Sequence, residues 1–313
     1  MESKSEPKSA GRPKGFFLGL ALTITSAALW GSAYPVIQLA LQYYDSFTIT
    51  VYRALFGALV LTLYVVLTQK SVRPKRQDLK YLVLVSILGA SGFWTLLSLS
   101  VKYLQADISS FLAALYPLIA VVFASIIFHD KMKVSSVIGV LLGIFGTLTI
   151  VIFGENARFT GSSPVVGSLI GVTASFVWAG YLVASRFLIS RKTGSNGEQR
   201  SPEYVTFYTF LFAIPLTLLL MFLTSSGRYF LQPSPNGIFY VGYLGIAASG
   251  IAFLSFNKGM KLIGITSAAI NQLLFPAVTV VVTFFIFGVT VNFAEIAGMA
   301  LIIAGILIAQ LFR

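Results

Sequence analysis

The chain has 313 residues, of which 57% are hydrophobic and only 10% are charged. A soluble domain carries about a quarter charged residues, so this composition excludes a water-soluble surface and indicates a protein embedded in lipid. The net charge of +12 does not indicate a nucleic-acid binder, because Lys and Arg lie in short gaps between apolar runs. The absence of cysteine excludes disulfides, thiol catalysis and cysteine metal sites.

Ten apolar runs are long enough to cross about 30 Å of hydrocarbon as helices. The first run follows a basic tail and is too long for the apolar part of a signal peptide, so we expect it to be a retained helix. The sequence therefore predicts an all-α membrane protein with ten transmembrane helices. The predicted spans are residues 16–41, 47–67, 79–101, 108–128, 134–153, 165–189, 204–223, 238–256, 266–287 and 294–312.

The positive residues between these spans are distributed unevenly. Of the 22 Lys and Arg residues, 18 fall on the side of the first tail, three fall on the other side, and Arg53 lies within the second span. Positive loops stay in the cytoplasm. We therefore expect a multi-pass protein of the cell (plasma) membrane with both termini cytoplasmic.

The two halves of the chain match each other at a fixed offset. Because each half has five spans, an odd number, the second half must enter the membrane the other way up. This predicts a cytoplasmic tail (1–15), a first repeat (16–154), an external linker (155–164) and a second, inverted repeat (165–313) around a central cavity. At an offset of 159 the matched pairs are Tyr81 with Tyr240, Lys102 with Lys261, Pro117 with Pro276, Phe128 with Phe287, Gly139 with Gly298, and Gly146 with Gly305; at a shorter offset Trp30 matches Trp178.

Short motifs in both halves resemble the EamA-type branch of the drug/metabolite transporter superfamily. The motifs are Leu29-Trp30-Gly31-Ser32, Tyr52-Arg53-Ala54-Leu55, Ala113-Ala114-Leu115-Tyr116-Pro117, Phe253-Leu254-Ser255-Phe256-Asn257 and Phe275-Pro276. The resemblance implies a cavity lined by helices 1, 3, 4, 6, 8 and 9, and export or exchange of amino acids, sugars, nucleosides or other small metabolites. The family usually has Glu after helices 4 and 9, where this chain has Asp130 and Val289.

Aromatic and amide side chains inside the predicted spans are the candidate substrate contacts. Aromatic rings deep in a span can line a pocket for an apolar solute, although helix packing is the alternative. A buried amide must find a partner, which is either the substrate or a neighbouring helix. The candidates are Trp30, Tyr34, Trp94, Tyr116, Trp178, Tyr181, Asn257, Asn271 and Gln272.

Other residues with a special role are two prolines, one arginine and a set of glycines. Pro117 and Pro276 lie near the centres of helices 4 and 9, where each bends the helix, either to open the cavity or with a purely structural effect. We expect Arg53 to extend outward toward Asp45 or lipid phosphate, with attraction of an anionic substrate or internal pairing as alternatives. Glu295 is expected to cap helix 10. The glycines of helices 5 and 10 predict close packing of these two helices, with a dimer interface as the alternative.

The chemistry of the spans favours transport over catalysis. They hold neither a pair of Asp residues nor a Ser with a His, so we expect no enzyme, and no cofactor or metal. No Asp or Glu lies at the middle of a span, which favours facilitated diffusion or exchange over proton coupling. We predict a secondary transporter that works by alternating access and acts as an exporter or exchanger. The predicted substrates are small metabolites, chiefly amino acids or similar amphipathic solutes. We expect a monomer rather than a dimer. A channel and a scaffold protein are the alternatives.

Overall fold

A computed structural model describes residues 15–68, 73–104, 106–129, 133–153, 162–193, 198–224, 228–288 and 290–311. Asp130 and Val289, where the family usually has Glu, lie outside these ranges, as do the N-terminal residues 1–14 and Arg313. The described chain is almost entirely helical, and its two short strands form one antiparallel pair between helices. The all-α prediction is therefore confirmed apart from that pair.

In the first half of the chain, the described residues form seven α-helices. They are α1 (Phe16–Ala40), α2 (Ser46–Thr68), α3 (Leu79–Val85), α4 (Trp94–Tyr103), α5 (Ala106–Ala113), α6 (Tyr116–Phe128) and α7 (Val134–Phe153). A short 3-10 helix (Arg76–Asp78) precedes α3, and a π-helical segment (Ser86–Phe93) joins α3 to α4 without interruption.

The second half repeats this order. It contains α8 (Pro164–Ser190), β1 (Lys192–Thr193), β2 (Glu198–Gln199), α9 (Pro202–Thr224), α10 (Arg228–Leu231), α11 (Pro235–Gly245), α12 (Ala252–Ile263), α13 (Ile265–Asn271), α14 (Leu274–Phe287) and α15 (Phe293–Leu311). A second π-helical segment (Ile246–Ile251) joins α11 to α12, so both halves carry this irregularity in their third long helix.

Within the described residues, seven helical stretches are long and apolar enough to cross a membrane. They are Phe16–Ala40, Ser46–Thr68, Arg76–Tyr103, Pro164–Ser190, Pro202–Thr224, Pro235–Ile263 and Ile265–Phe287. Two shorter apolar helices cover Val134–Ile150 and Phe293–Ala309. Within the described residues eight predicted spans lie on continuous helical stretches, whereas the fourth lies on α5 and α6 and the ninth on α13 and α14. The largest difference in bounds is in the eighth, which continues to Ile263 instead of ending at Phe256.

The helices that carry Pro117 and Pro276 are broken near these residues rather than smoothly bent. In the first half α5 ends at Ala113 and α6 begins at Tyr116, and the second half has an equivalent gap between α13 and α14. Proline has no backbone N–H to continue the helical ladder, but it fits the first turn of a new helix, where no such bond is needed. Both prolines lie in that first turn.

Glycines bring α7 and α15 into close antiparallel contact. A Cβ atom added to Gly139 would lie 2.5 Å from the carbonyl oxygen of Gly305, and one added to Gly146 would lie 2.5 Å from that of Gly298. Residue numbers rise along α7 as they fall along α15, so the helices run in opposite directions. The predicted packing of these two helices is confirmed, because only glycine permits backbones to approach this closely.

The start of α15 is closed by a reciprocal pair of hydrogen bonds. The Asn292 N–H donates to the Glu295 carboxylate at 2.8 Å, and the Glu295 N–H donates to the Asn292 side-chain oxygen at 2.9 Å. This is a capping box, which satisfies backbone donors that have no partner within the helix. The expected capping role of Glu295 is confirmed.

Contacts between the halves come in matched sets. Helix α1 packs against α12 and α14, and its counterpart α8 packs against α4 and α6. Helix α2 packs against its own counterpart α9. One buried apolar cluster runs through the helices of both halves, so the centre of the molecule is built jointly by the two.

Candidate functional site

A small aromatic cavity lies at the centre, between the two halves. Its free volume of about 20 Å³ is roughly what a single water molecule needs, so the cavity as it stands is too small for a metabolite. Both halves contribute to its wall. The lining residues are Trp30, Ala33 and Tyr34 on α1, Arg53 on α2, Phe93, Trp94 and Leu97 on the third long helix, Tyr116 on α6, Trp178 on α8 and Phe275 on α14.

The rings of the cavity pack in two geometries. The Trp30 and Trp178 rings, which match in the repeat, meet edge to face with centroids 5.1 Å apart. The Phe275 ring stacks between Tyr34 at 5.5 Å and Tyr116 at 6.2 Å, with interplanar angles of 4° and 1°. Both geometries are favourable for aromatic pairs. The wall therefore offers flat apolar faces that suit an aromatic or aliphatic group.

A buried layer next to the cavity closes it on one side. We call this the inner layer, and it consists of Tyr181, Phe253, Phe256 and Asn257, all buried. The Tyr181 ring stacks on Trp178 at 4.6 Å, and Phe253 meets the same indole edge to face at 5.2 Å. The Asn257 amide donates to the Tyr181 hydroxyl at 3.1 Å and to the Thr206 hydroxyl at 2.7 Å. The inner layer thus ties α8, α9 and α12 together.

Beyond the inner layer lies a wide vestibule of about 440 Å³. Helix α8 connects the two spaces, since Trp178 lines the cavity and Arg186, eight residues or about 12 Å further along, lines the vestibule. The charged side chains that line the vestibule, Lys133, Arg186 and Lys261, are all cations. The vestibule therefore presents a positive potential to solutes that approach from that side.

Arg53 points into the protein and not toward the membrane surface. Its side chain is 1% exposed, its Nε donates to the Ser249 hydroxyl at 3.1 Å, and its guanidinium carbon lies 4.5 Å from the centre of the Trp94 ring. Asp45, the expected outward partner, instead accepts the N–H groups of Phe47 and Thr48 at the start of α2. The expected outward extension of Arg53 is therefore wrong. The cation–π contact with Trp94 and the hydrogen bond to Ser249 of the second half hold the side chain inside.

The amides of Asn271 and Gln272 lie between α13 and α1, outside the cavity wall. The Asn271 amide donates to the Thr23 hydroxyl at 2.7 Å. The Gln272 amide donates to the Thr23 carbonyl at 2.8 Å and to the Ser26 hydroxyl at 3.1 Å. Both residues therefore bridge helices at the break before Pro276, and direct contact with a substrate stays a prediction for them.

Four aromatic residues of the cavity and the inner layer were absent from the sequence-based candidates: Phe93, Phe253, Phe256 and Phe275. For two of them the signal was the repeat itself, because the offset of 159 matches Trp94 with Phe253 and Tyr116 with Phe275. A candidate in one half thus predicts a partner in the other. Phe93 and Leu97 carried no such signal, since apolar residues occur throughout these helices.

The described carboxylates lie away from the cavity. Asp78 accepts from Arg200 at 2.6 Å, Glu203 lies 3.4 Å from Lys258, and the Thr283 hydroxyl donates to Asp107 at 3.3 Å. Across the described ranges, no group of three or more His, Cys, Asp or Glu residues is arranged to hold a metal ion. Recognition in the cavity therefore depends on rings and on one guanidinium.

An apolar bundle of helices with a small cavity between its two halves fits the architecture of a membrane transporter. The model of the EamA-like transporter family matches this chain twice, over residues 17–152 and 165–311. The chain belongs to that family, and the protein is a multi-pass membrane transporter and not an enzyme. The resemblance noted in the motifs is thereby confirmed.

The similarity to individual proteins extends over almost the whole chain. An uncharacterized transporter of Bacillus subtilis, YyaM, is 25% identical over 90% of this chain and 89% of its own length. A probable terminal-alkyne amino-acid exporter of Streptantibioticus cattleyicolor is 26% identical over 92% and 91% of the two chains. A crystal structure at 21% identity aligns with a TM-score of 0.78 over 95% of this chain and 97% of that one, which supports the fold.

Proposed function

We propose that the protein is a secondary carrier that moves small amphipathic metabolites, amino acids first among them, across the cytoplasmic membrane by alternating access. The observation that carries this proposal is the small aromatic cavity between the halves, separated from a wide vestibule by the inner layer. A carrier needs a site that is closed to one side at a time, whereas a channel needs a continuous pore with a polar lining.

Ten membrane spans in two inverted repeats form the frame of this mechanism. The reciprocal glycine contacts support it, because Gly139 with Gly305 and Gly146 with Gly298 exchange places when the two halves are exchanged. The family model matches once in each half, which also supports a duplication. If the second half is inverted, α7 and its counterpart α15 must run antiparallel, as they do.

Access to the cavity from the vestibule requires the inner layer to separate. Opening would part the rings of Tyr181 and Phe253 from Trp178 and break the hydrogen bonds of Asn257. The breaks before Pro117 and Pro276 lie beside Tyr116 and Phe275, so movement at a break is transmitted directly to the cavity wall. The cations around the vestibule support a position on the cytoplasmic side, with both termini on that side.

Amino acids fit the cavity because its wall combines flat rings with a single charged anchor. The similarity to a probable terminal-alkyne amino-acid exporter supports the same class and favours export or exchange. A cluster of buried Lys and Arg residues, as phosphorylated sugars require, is not present among the cavity-lining residues.

The carrier is proposed to act as a monomer in the lipid bilayer. The glycine faces of α7 and α15 pack against each other within one chain, so they are not available to form a dimer interface. A single-subunit mass in detergent by light scattering is the expected result, and a stable dimer would contradict this part of the proposal.

The experiment that tests the function is solute counterflow with purified protein in proteoliposomes. A thermal-shift screen against metabolites selects the solutes, and the hits are then tested for flux. We expect saturable uptake that is accelerated by the same unlabelled solute inside the vesicles. Flux that rises linearly with concentration would indicate a channel, and absence of flux for every metabolite would favour a scaffold.

A further inference from the structure

Arg53 has a donor that the protein itself does not use. Its Nη1 atom is fully buried and has no hydrogen-bond partner among the described residues, although its Nε is bonded to Ser249. The side chain lines the central cavity, where it is the one charged residue of the wall. An unused charged donor at a cavity wall marks a position where a ligand atom can bind.

None of the carboxylates whose side chains the structure describes neutralises this guanidinium. Asp45 and Glu295 cap helices, Asp78 pairs with Arg200, Glu203 with Lys258, and Asp107 accepts from Thr283. The counterpart of α2 in the second half, α9, contains no Lys or Arg, so the halves together supply a single cation at the cavity. The positive charge is therefore left without a counter-charge.

Leaving such a charge unpaired is energetically costly. A buried ion without a partner loses hydration that one neutral hydrogen bond and one ring contact only partly replace. A carboxylate is the partner that a guanidinium binds best, because its two oxygens match two N–H groups of the planar fork. A bound carboxylate would supply both the missing counter-charge and an acceptor for Nη1.

We propose that Arg53 binds the carboxylate of the transported solute, which defines the substrates as small monocarboxylates with an apolar or aromatic side group. This inference rests on the proposed carrier function and names its substrate class. The side group packs on the indoles of Trp30 and Trp178 and on the Tyr34–Phe275–Tyr116 stack. The cations of the vestibule attract the same anionic group toward the cavity.

The first test compares acids with their amides, whose carboxamide group carries no charge, on the wild-type protein. 4-methylpentanoate, L-leucine and L-phenylalanine are measured against 4-methylpentanamide, L-leucinamide and L-phenylalaninamide by tryptophan fluorescence and by competition in counterflow. At least one acid is expected to bind, and its amide is expected to bind roughly tenfold more weakly or worse, because a hydrogen bond between charged groups is lost. This comparison needs no variant and so does not depend on a mutant folding.

The second test uses substitutions of the guanidinium. Arg53→Gln is expected to weaken binding of the acid by roughly tenfold or more and to remove the preference for acid over amide, and Arg53→Lys is expected to restore part of that preference. The matched control is Ser86→Ala, which removes a buried hydrogen bond between helices, to the Tyr208 carbonyl, outside the cavity wall. Its ratio of acid to amide binding should equal that of the wild type.

The outcomes separate this inference from the carrier function. Equal binding of an acid and its amide, or saturable flux of other solutes with no binding of any acid, would overturn the inference and leave the carrier intact. An unchanged preference in Arg53→Gln would do the same, because a purely structural arginine affects acid and amide alike. Absence of saturable flux for every solute would remove the carrier function and the inference together.

Discussion

The two halves of the protein use different chemistry at the same structural position. At the break before Pro117, the Ser175 hydroxyl of α8 donates to the Leu112 carbonyl at 2.6 Å. At the break before Pro276, the amides of Asn271 and Gln272 donate to α1. Each break is thus tied to the first helix of the other half, by one hydroxyl in one case and two amides in the other. The frame is duplicated, but its polar groups are not.

The cavity wall shows the same contrast. Trp30 with Trp178 and Tyr116 with Phe275 are matched aromatic pairs of the wall, and Trp94 matches Phe253 of the inner layer, whereas α9 has no cation to match Arg53. Matched rings can form similar walls when either half moves, because ring packing is tolerant of small shifts. A single cation would instead give a bound solute one orientation. In the proposed carrier the matched rings thus serve the movement, and Arg53 serves recognition of the solute.

The largest effect is expected from Trp178→Ala. The Trp178 ring is fully buried against rings of both halves, and removing a buried tryptophan costs about 3–5 kcal/mol of stability. We expect transport to be lost while the protein still inserts in the membrane, as measured by counterflow and by membrane-fraction abundance. Trp178→Phe is the control, and the matched Trp30→Ala should be milder because Trp30 is only partly buried. Wild-type flux in Trp178→Ala would remove this ring from the site.

Substitution of the glycines between α7 and α15 is expected to destabilise the protein by about 3 kcal/mol. In Gly146→Leu the new side chain would collide with the backbone of Gly298, and Gly298→Leu would do the reverse. Because the contact is reciprocal, the two variants should unfold at similar temperatures in detergent. Gly242→Leu is the control, since nothing lies within 4 Å of a Cβ atom there. Very different melting temperatures for the two variants would contradict the prediction that the two halves are equivalent at this contact.

A smaller effect is expected from Asn271→Ala. Hydrogen bonds between membrane helices contribute about 0.6 kcal/mol on average and reach about 1.7 kcal/mol. We expect transport to be impaired with insertion intact, and a double-mutant cycle with Thr23→Val should give a coupling energy in that range. The control is Leu112→Ala at the matched position of the first half, which removes no hydrogen bond of its side chain. Zero coupling between Asn271 and Thr23, or unimpaired flux in Asn271→Ala, would contradict this prediction.

The smallest effect is expected from an imposed pH gradient. No Asp or Glu lies at the middle of a predicted span, so no obvious carboxylate can carry a proton through the site. Counterflow in proteoliposomes with a gradient of about one pH unit across the membrane should change by less than about twofold. Strong acceleration by the gradient would indicate proton coupling and an overlooked titrating group.

Features that repeat along the chain were predictable from sequence. Apolar runs of membrane length marked the helices, because lipid requires each buried backbone to satisfy its own hydrogen bonds. The matched Pro117 and Pro276 indicated where two helices are interrupted. The glycines of α7 and α15 indicated the close contact between these two helices. These properties depend on local chain geometry, on the missing N–H of proline and the missing side chain of glycine. They therefore hold wherever the helix is placed.

The direction of each polar side chain was decided only by the tertiary structure. The sequence allowed the Arg53 side chain to reach water or lipid phosphate. In the structure Ser249 and Trp94 lie beside it, and its contacts with them direct the guanidinium inward. Likewise, the sequence allowed the amides of Asn271 and Gln272 to face either the solute or a neighbouring helix. In the structure they donate hydrogen bonds to hydroxyl and carbonyl groups of α1. Long polar side chains bind whichever partner is nearest, and that partner lies in a segment far away along the chain. The amino-acid sequence thus determined the helices and their duplication, and the packing of the two halves determined which of their polar groups meet at the cavity.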